Sequence, residues 1–220
     1  MLKERLDSLE ERIARAAARA GRRREEIALV AVTKKFPPAR IEEAAQLGIH
    51  DFGENYVQEF EGKKPILAAV TGVRFHFIGH LQANKARKAV ELFDVIQTVD
   101  SARLAEKLNQ AAAAPIDVML EVKLSPEESK AGVSPEDLPR LIEAVSALSG
   151  LRLCGLMTMP PWTDDAECSR PYFRRLHALA DENGITGLSM GMSHDFEAAI
   201  EEGATLIRIG TALFGPRRTT

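Results

Sequence analysis

The sequence predicts an α/β fold: a single (β/α)8 TIM-type barrel with an additional N-terminal helix. Three observations carry that expectation. Eight short apolar segments alternate with amphipathic helical segments along the whole chain, the pattern of parallel strands joined by helical crossovers. The first of them, Ile27-Ala28-Leu29-Val30-Ala31-Val32, is apolar without alternation, as a strand covered on both faces must be. Polar residues and glycines gather just after the strand ends, and an open doubly wound sheet usually has fewer strands. A chain of 220 residues suffices for one such core, so residues 1–220 are read as one domain.

In order, Leu2, Leu6, Leu9, Ile13 and Ala16 recur at steps of three and four and mark an amphipathic helix ending near Gly21. The first strand leads into Thr33-Lys34-Lys35-Phe36, and Pro37-Pro38 breaks the chain before a helix over Ala39 to Leu47 closed by Gly48. The remaining strands are expected at Ile49 to Phe52, Val73 to Ile78, Asp94 to Thr98, Ile116 to Val122, Leu151 to Met157, Gly187 to Met190 and Thr205 to Ile209. Helices fall between them at Asn55 to Ala69, interrupted near Pro65, and at about Gln82 to Leu92, Ala102 to Ala114, Pro135 to Leu148, Pro171 to Asp181 and Asp195 to Glu202. After the eighth strand only Thr211 to Thr220 remains, too little for a full outer helix. Barrel closure brings the eighth strand beside the first, so the N-terminal helix is expected to cover that seam.

Composition narrows the function classes. Lys and Arg total 29 against 32 Asp and Glu, a formal charge of −3, without the basic patch that nucleic-acid binding requires. Arg22-Arg23-Arg24 and Arg217-Arg218 read as solvated ends. Cys154 and Cys168 show neither metal spacing nor a disulfide framework, which suits a reducing compartment. The N-terminus is charged with both signs and no apolar run reaches membrane-spanning length, so a cytoplasmic chain without a membrane partner is expected.

The chemistry lies at the strand ends, the functional rim of such barrels. Lys34 closes the first strand, where a half-desolvated amine can capture an aldehyde; equally, Lys34 and Lys35 read as the point where a buried strand meets water. Alternation along a strand would turn these two lysines to opposite sides and leave Lys34 toward the pocket. Asn55 follows the second strand, either as a ligand contact or as a helix cap. Glu54 beside it is a general base or a solvated acid. His76 interrupts Phe75-His76-Phe77 inside the barrel, where a hydrogen-bonded core histidine is the common outcome. Ser193 precedes a helix as a phosphate donor or an ordinary N-cap. Gly210 lets the backbone approach a ligand closely, placing the Thr211 N–H in a phosphate nest. Arg208 lies among Leu206, Ile207 and Ile209, where a charge needs a buried acceptor.

A lysine on the first strand end, an arginine on the eighth and phosphate donors on the seventh and eighth form a coherent site for pyridoxal 5'-phosphate (PLP). Arginine facing the pyridine nitrogen keeps that nitrogen unprotonated and the ring a weak electron sink. A Schiff-base sugar-phosphate enzyme would share the lysine and the anion clamp but leave Arg208 without a task.

The motifs Val30-Ala31-Val32-Thr33-Lys34, Phe52-Gly53-Glu54-Asn55-Tyr56, Phe75-His76-Phe77-Ile78-Gly79, Leu81-Gln82-Ala83-Asn84-Lys85, Gly155-Leu156-Met157-Thr158-Met159, Leu188-Ser189-Met190-Gly191-Met192-Ser193 and Ile207-Arg208-Ile209-Gly210-Thr211 resemble the YggS/PROSC family of pyridoxal phosphate homeostasis proteins. The resemblance implies the single barrel of the alanine racemase cofactor domain, PLP as cofactor bound through Lys34, and a role in buffering or delivering PLP that influences amino-acid and keto-acid balance. It further implies Asn55 as a cofactor-side contact, Met159 packed near the ring, Ser193, Gly210 and Thr211 on the phosphate, and Arg208 at the pyridine nitrogen. Phe75, His80 and Lys123 stand where the family often has tryptophan, proline and asparagine. The expectation is a non-catalytic PLP-binding protein, monomer or weak homodimer, with PLP-dependent apoenzymes as candidate recipients. The alternative is a PLP-dependent amino-acid racemase, which needs a second acid or base on the opposite substrate face.

Overall fold

Strand β1 (Ala28–Val32) pairs with a parallel neighbour on each side, β2 (Asp51–Glu54) through Val30 and Asp51 and β8 (Leu206–Ile209) through Val30 and Arg208. That double pairing closes the sheet. The computed structural model describes residues 1–125 and 131–216. Within them the remaining strands are β3 (Arg74–Phe77), β4 (Val95–Val99), β5 (Ile116–Glu121), β6 (Leu151–Met157) and β7 (Leu188–Met192), and the barrel runs in sequence order from β1 to β8. The alternation of apolar strand and helix therefore gives the expected (β/α)8 architecture.

Most boundaries move by one to three residues, and two shifts affect the rim. The second strand begins at Asp51 rather than Ile49, because Gly48 turns the chain with φ 90° and the ladder to β3 extends through Gly53 and Glu54. The seventh strand continues to Met192, pairing there with Arg208, so it delivers Ser193 directly to the rim.

The outer layer consists of α1 (Leu2–Arg19), α2 (Pro38–Gln46), α3 (Val57–Lys63), α4 (Ala86–Leu92), α5 (Ala102–Ala111), α6 (Leu138–Ser146), α7 (Arg170–Glu182), α8 (Phe196–Glu201) and α9 (Thr211–Phe214). Pro65 ends the α3 segment as expected, and a 3-10 turn at Ile66–Ala69 completes it. Helix α1 buries Leu2, Leu6, Leu9 and Ile13 against α8 and the single turn of α9. It fills the place of a full eighth outer helix. Arg22 and Arg24 are not simply solvated: Arg22 donates to the carbonyls of Ile200 and Ala204 at 3.1 and 2.8 Å, and Arg24 pairs with Glu10 at 2.6 Å. They fasten α1 to α8 and to the entrance of β1. Arg217 and Arg218 lie outside the described residues.

The core has an outer and an inner part. Outside the sheet, Phe75 packs on Phe60 with ring centroids 4.7 Å apart, and Phe60 stacks on Phe93 at 4.8 Å, a geometry favourable beyond the area buried. Inside, the barrel carries polar side chains as well as apolar ones. His76, Gln97, Ser189 and Arg208 are all at most 3% exposed.

Candidate functional site

Lys34 does not lie on the strand. β1 ends at Val32, and Thr33 to Phe36 form a turn closed by the Phe36 N–H to the Thr33 carbonyl at 3.0 Å. Lys35 occupies its third position with φ 63°, a left-handed backbone that a non-glycine residue adopts only when its surroundings enforce it. The two lysines are therefore separated by turn geometry rather than by strand alternation.

The enforcement comes from β2 and α3. The Lys35 N–H donates to Glu59 Oε1 at 2.5 Å. Lys63 donates to the Thr33 carbonyl at 3.0 Å and to Glu54 Oε1 at 2.8 Å, and lies 2.6 Å from Glu59. Thr33 Oγ1 adds a 2.8 Å bond to the same Glu54 oxygen. Glu54 is thus neither a solvated acid nor a rim base. It is fully buried, and burial raises its pKa against the opposing hydrogen bonds from Lys63 and Thr33.

Asn55 caps no helix, since α3 begins at Val57 with Tyr56 as its N-cap. Its side-chain oxygen is buried without a hydrogen-bond partner among the described residues. Gly79 makes this placement possible: a Cβ there would lie 2.1 Å from the Asn55 carbonyl oxygen. Thr98 Oγ1 fixes Gly79 by a 2.7 Å bond to its carbonyl.

At the β7 end Ser193 is not the N-cap of α8, a position held by Asp195. Its hydroxyl oxygen instead accepts the N–H groups of Gly210 and Ala212 at 3.1 and 3.2 Å, tying the β7 end to the β8 end. Ser193 thus gathers the amides on either side of Thr211, whose own N–H is the one expected in the phosphate nest. At Gly210 a Cβ would meet only Val32, at 3.6 Å or more, so protein packing alone does not require glycine there.

Arg208 is 3% exposed. Its guanidinium donates from Nη1 to Ser189 Oγ at 2.7 Å and from Nη2 to the Thr158 carbonyl at 2.9 Å, which supplies the buried acceptors its position demands. Burial lowers its pKa to about 10, opposed by the nearby charges of Asp195 and Glu121, and it stays cationic at neutral pH. Glu121, at the end of β5, is pushed up to about 7, first by burial and then by Asp100, with Arg208 pulling the other way.

These elements converge on a cavity of about 310 Å³, within the range of small-molecule sites. Lys34, Asn55 and Met159 line it together with Ser193, Arg208, Gly210 and Thr211, so the seven residues expected to contact the cofactor are in one place, whereas Glu54 and His76 are not in its wall. His194 and Trp162 complete the wall. Their rings lie 4.7 Å apart, and His194 Nε2 is buried without a hydrogen-bond partner among the described residues. Ile78, Met192 and Trp162 in this wall carry no site signature in the sequence; the one available signal is that Trp162 is the chain's single tryptophan and follows Met159-Pro160-Pro161. His76 is the core histidine, bonded to Asp51 and Gln97 at 2.8 Å each. Phe75 packs outside the barrel, while His80 and Lys123 line a neighbouring cavity, so the three departures from the family pattern leave the wall of this cavity unchanged.

The donor set fits PLP. A lysine amine, a cationic arginine and a serine hydroxyl among backbone amides surround a small cavity, and two buried polar atoms in its wall lack partners among the described residues, as a site completed by a polar ligand should.

Comparison with known proteins agrees with this geometry. Residues 5–218 match the alanine racemase N-terminal domain family. A pyridoxal phosphate homeostasis protein of Pseudomonas aeruginosa is 48% identical over 211 residues, covering 94% of this chain and 91% of the relative. PipY of Synechococcus elongatus, solved with PLP bound, superposes with a TM-score of 0.87 at 39% identity, covering 98% of this chain and 100% of that one. Alanine racemase of Clostridium difficile shares the fold alone, with a TM-score of 0.68 at 17% identity over 88% of this chain and 53% of the racemase. The chain belongs to the alanine racemase N-terminal domain family and, within it, to the pyridoxal phosphate homeostasis proteins.

Proposed function

We propose that this chain, as one barrel domain over residues 1–220, binds PLP in the cavity between Lys34 and Arg208 and acts in cytoplasmic PLP homeostasis. The single observation that carries this is the convergence of seven expected residues, from five separate strand ends, on one small cavity with two unpartnered polar atoms. The cofactor supplies an aldehyde that a lysine amine can bond covalently. Lys34 is the residue to hold it, with its turn fixed by Lys63 and Glu59. Ser193 and the Thr211 amide receive the phosphate where Gly210 lets the backbone approach it, Asn55 turns its side-chain amide oxygen to a ring substituent, and Met159 packs against the ring. Arg208 faces the pyridine nitrogen and, as a donor-only cation, disfavours its protonation, which suits retention of the cofactor better than carbanion chemistry.

On this reading the protein buffers PLP or delivers it to PLP-dependent apoenzymes, as a monomer or weak homodimer, and is not itself a catalyst. No helix among the described residues is long and apolar enough to cross a membrane. The test joins binding to catalysis. Purified protein mixed with PLP should gain the absorbance of a lysine-bound cofactor, borohydride should fix it to the peptide containing Lys34, and Lys34→Ala should abolish both. A chiral assay across common amino acids should show no turnover that depends on Lys34. Label on Lys35, or robust Lys34-dependent racemisation, overturns the proposal.

A further inference from the structure

We infer that Ser189, Gln97 and His76 are positioning residues for Arg208, linked across the barrel interior to Asp51 at its opposite mouth. The inference rests on the PLP reading above, since it concerns how Arg208 is presented to the pyridine nitrogen. The observation is one continuous chain of hydrogen bonds. Arg208 Nη1 meets Ser189 Oγ at 2.7 Å, Ser189 Oγ meets Gln97 Oε1 at 2.6 Å, Gln97 Nε2 meets His76 Nδ1 at 2.8 Å, and His76 Nε2 meets Asp51 Oδ1 at 2.8 Å. The members come from β8, β7, β4, β3 and β2. Asp51 is the first residue of its strand, with its side chain 22% exposed, and so stands at the mouth opposite the cavity.

The direction of every bond follows from its neighbour. A guanidinium only donates, so Ser189 Oγ accepts from it and has one proton left. That proton goes to Gln97 Oε1, which turns the Gln97 amide nitrogen toward His76. His76 Nδ1 must then accept, placing the ring proton on Nε2 against the Asp51 carboxylate. A cation at one end and a carboxylate at the other reinforce the same polarity. Barrel interiors of this kind are filled mainly by branched apolar side chains, and each polar group placed there is costly unless it is bonded. Here each link is bonded, and the one chain ends on the guanidinium.

Arg208 needs this support. Its hydrogen bonds go to the neutral oxygens of Ser189 and Thr158, while Glu121 and Asp195 act on it through space. If Gln97 is removed, the Ser189 proton loses its acceptor, and the Ser189 oxygen is no longer held where it accepts from Nη1. The pocket wall itself stays intact, because neither Gln97 nor Asp51 lines the cavity.

The experiment compares PLP with the analogue that carries carbon in place of the ring nitrogen, in wild type, Gln97→Leu and Asp51→Ala. Binding is read from quenching of Trp162, the one tryptophan of the chain and part of the cavity wall, and folding from circular dichroism. Gln97→Leu should weaken PLP binding about tenfold, the scale of one buried hydrogen bond, and leave analogue binding within about twofold. Asp51→Ala should act in the same direction by about threefold, although it lies at the far mouth; if Gln97→Leu does not fold, Asp51→Ala decides. Equal losses for both ligands, or unchanged PLP binding in a folded variant, overturn the positioning role. Wild-type protein that does not bind PLP, or binds both ligands alike, instead overturns the underlying reading of the site.

Discussion

The ammonium group of Lys63 hydrogen-bonds the backbone carbonyl of Thr33 at 3.0 Å, a contact between residues 30 apart in sequence. Thr33 opens the turn that carries Lys34, and the same ammonium lies 2.8 Å from Glu54 and 2.6 Å from Glu59. One buried cation thus joins the end of β1 to β2 and α3. Glu59 in turn holds the Lys35 N–H, so the strained residue beside Lys34 is fixed from the same cluster.

This arrangement predicts strong coupling between Lys63 and Glu54. Lys63→Met leaves a fully buried carboxylate without its cation and should cost about 3 to 5 kcal/mol, the scale for breaking a buried pair from one side. Adding Glu54→Gln should recover a large part of that loss, because the uncompensated charge is gone. Urea unfolding of the two single variants and the double variant checks this. Losses that simply add would show that the ion pair does not organise the turn.

At the other end of the cavity, Ser193→Ala should weaken retention of PLP by about 1 to 3 kcal/mol through loss of a charge-assisted bond. Non-phosphorylated pyridoxal should be affected much less. Ser193 Oγ also collects the amides of Gly210 and Ala212, so a purely architectural role would lower binding of both ligands equally. Parallel titrations with the two ligands separate these outcomes.

Glu121 predicts a pH dependence of stability in the ligand-free protein. Its folded pKa is raised from 4.5 to about 7 by burial, so between these values the native state binds more protons than the unfolded chain. Stability contributed by the protonated form is complete below about pH 4.5 and is lost as pH rises toward about 7. Glu121→Gln removes this slope, and its stability relative to wild type should rise by about 1 to 3 kcal/mol between about pH 5 and about pH 8. Denaturant unfolding at the two pH values measures the difference. A constant offset would place the carboxyl in a more hydrated setting.

The barrel and the rim were legible in sequence because both depend on local pattern. Unalternated β-branched runs mark strands covered on both faces, and a residue just past such a run must emerge at the C-terminal mouth. That reasoning brings Lys34, Asn55, Met159, Ser193, Gly210 and Thr211 to one rim without any knowledge of their contacts. Arg208 was legible for a different reason. A charge among Leu206, Ile207 and Ile209 implies an interior acceptor.

Tertiary structure decided how those residues are held. The strand end at Lys34 becomes a turn because Lys63, Glu54 and Glu59 arrive from β2 and α3, and no local propensity of Thr33-Lys34-Lys35 encodes their arrival. Ser193 looks like a helix cap in sequence, yet closure of β8 beside β7 brings the amides of Gly210 and Ala212 to its oxygen before the helix can use it. The acceptors of Arg208 are the Ser189 hydroxyl and the Thr158 carbonyl, and Ser189 is itself held by Gln97, 92 residues away, at 2.6 Å inside the barrel. The sequence alone determined the order of elements and the rim on which the chemistry falls, since strand and helix periodicities are set by near neighbours. Only the closed barrel selected the partners of each polar group, because ring closure and strand register bring together side chains from opposite sides of the sheet and oblige each buried donor to find an acceptor.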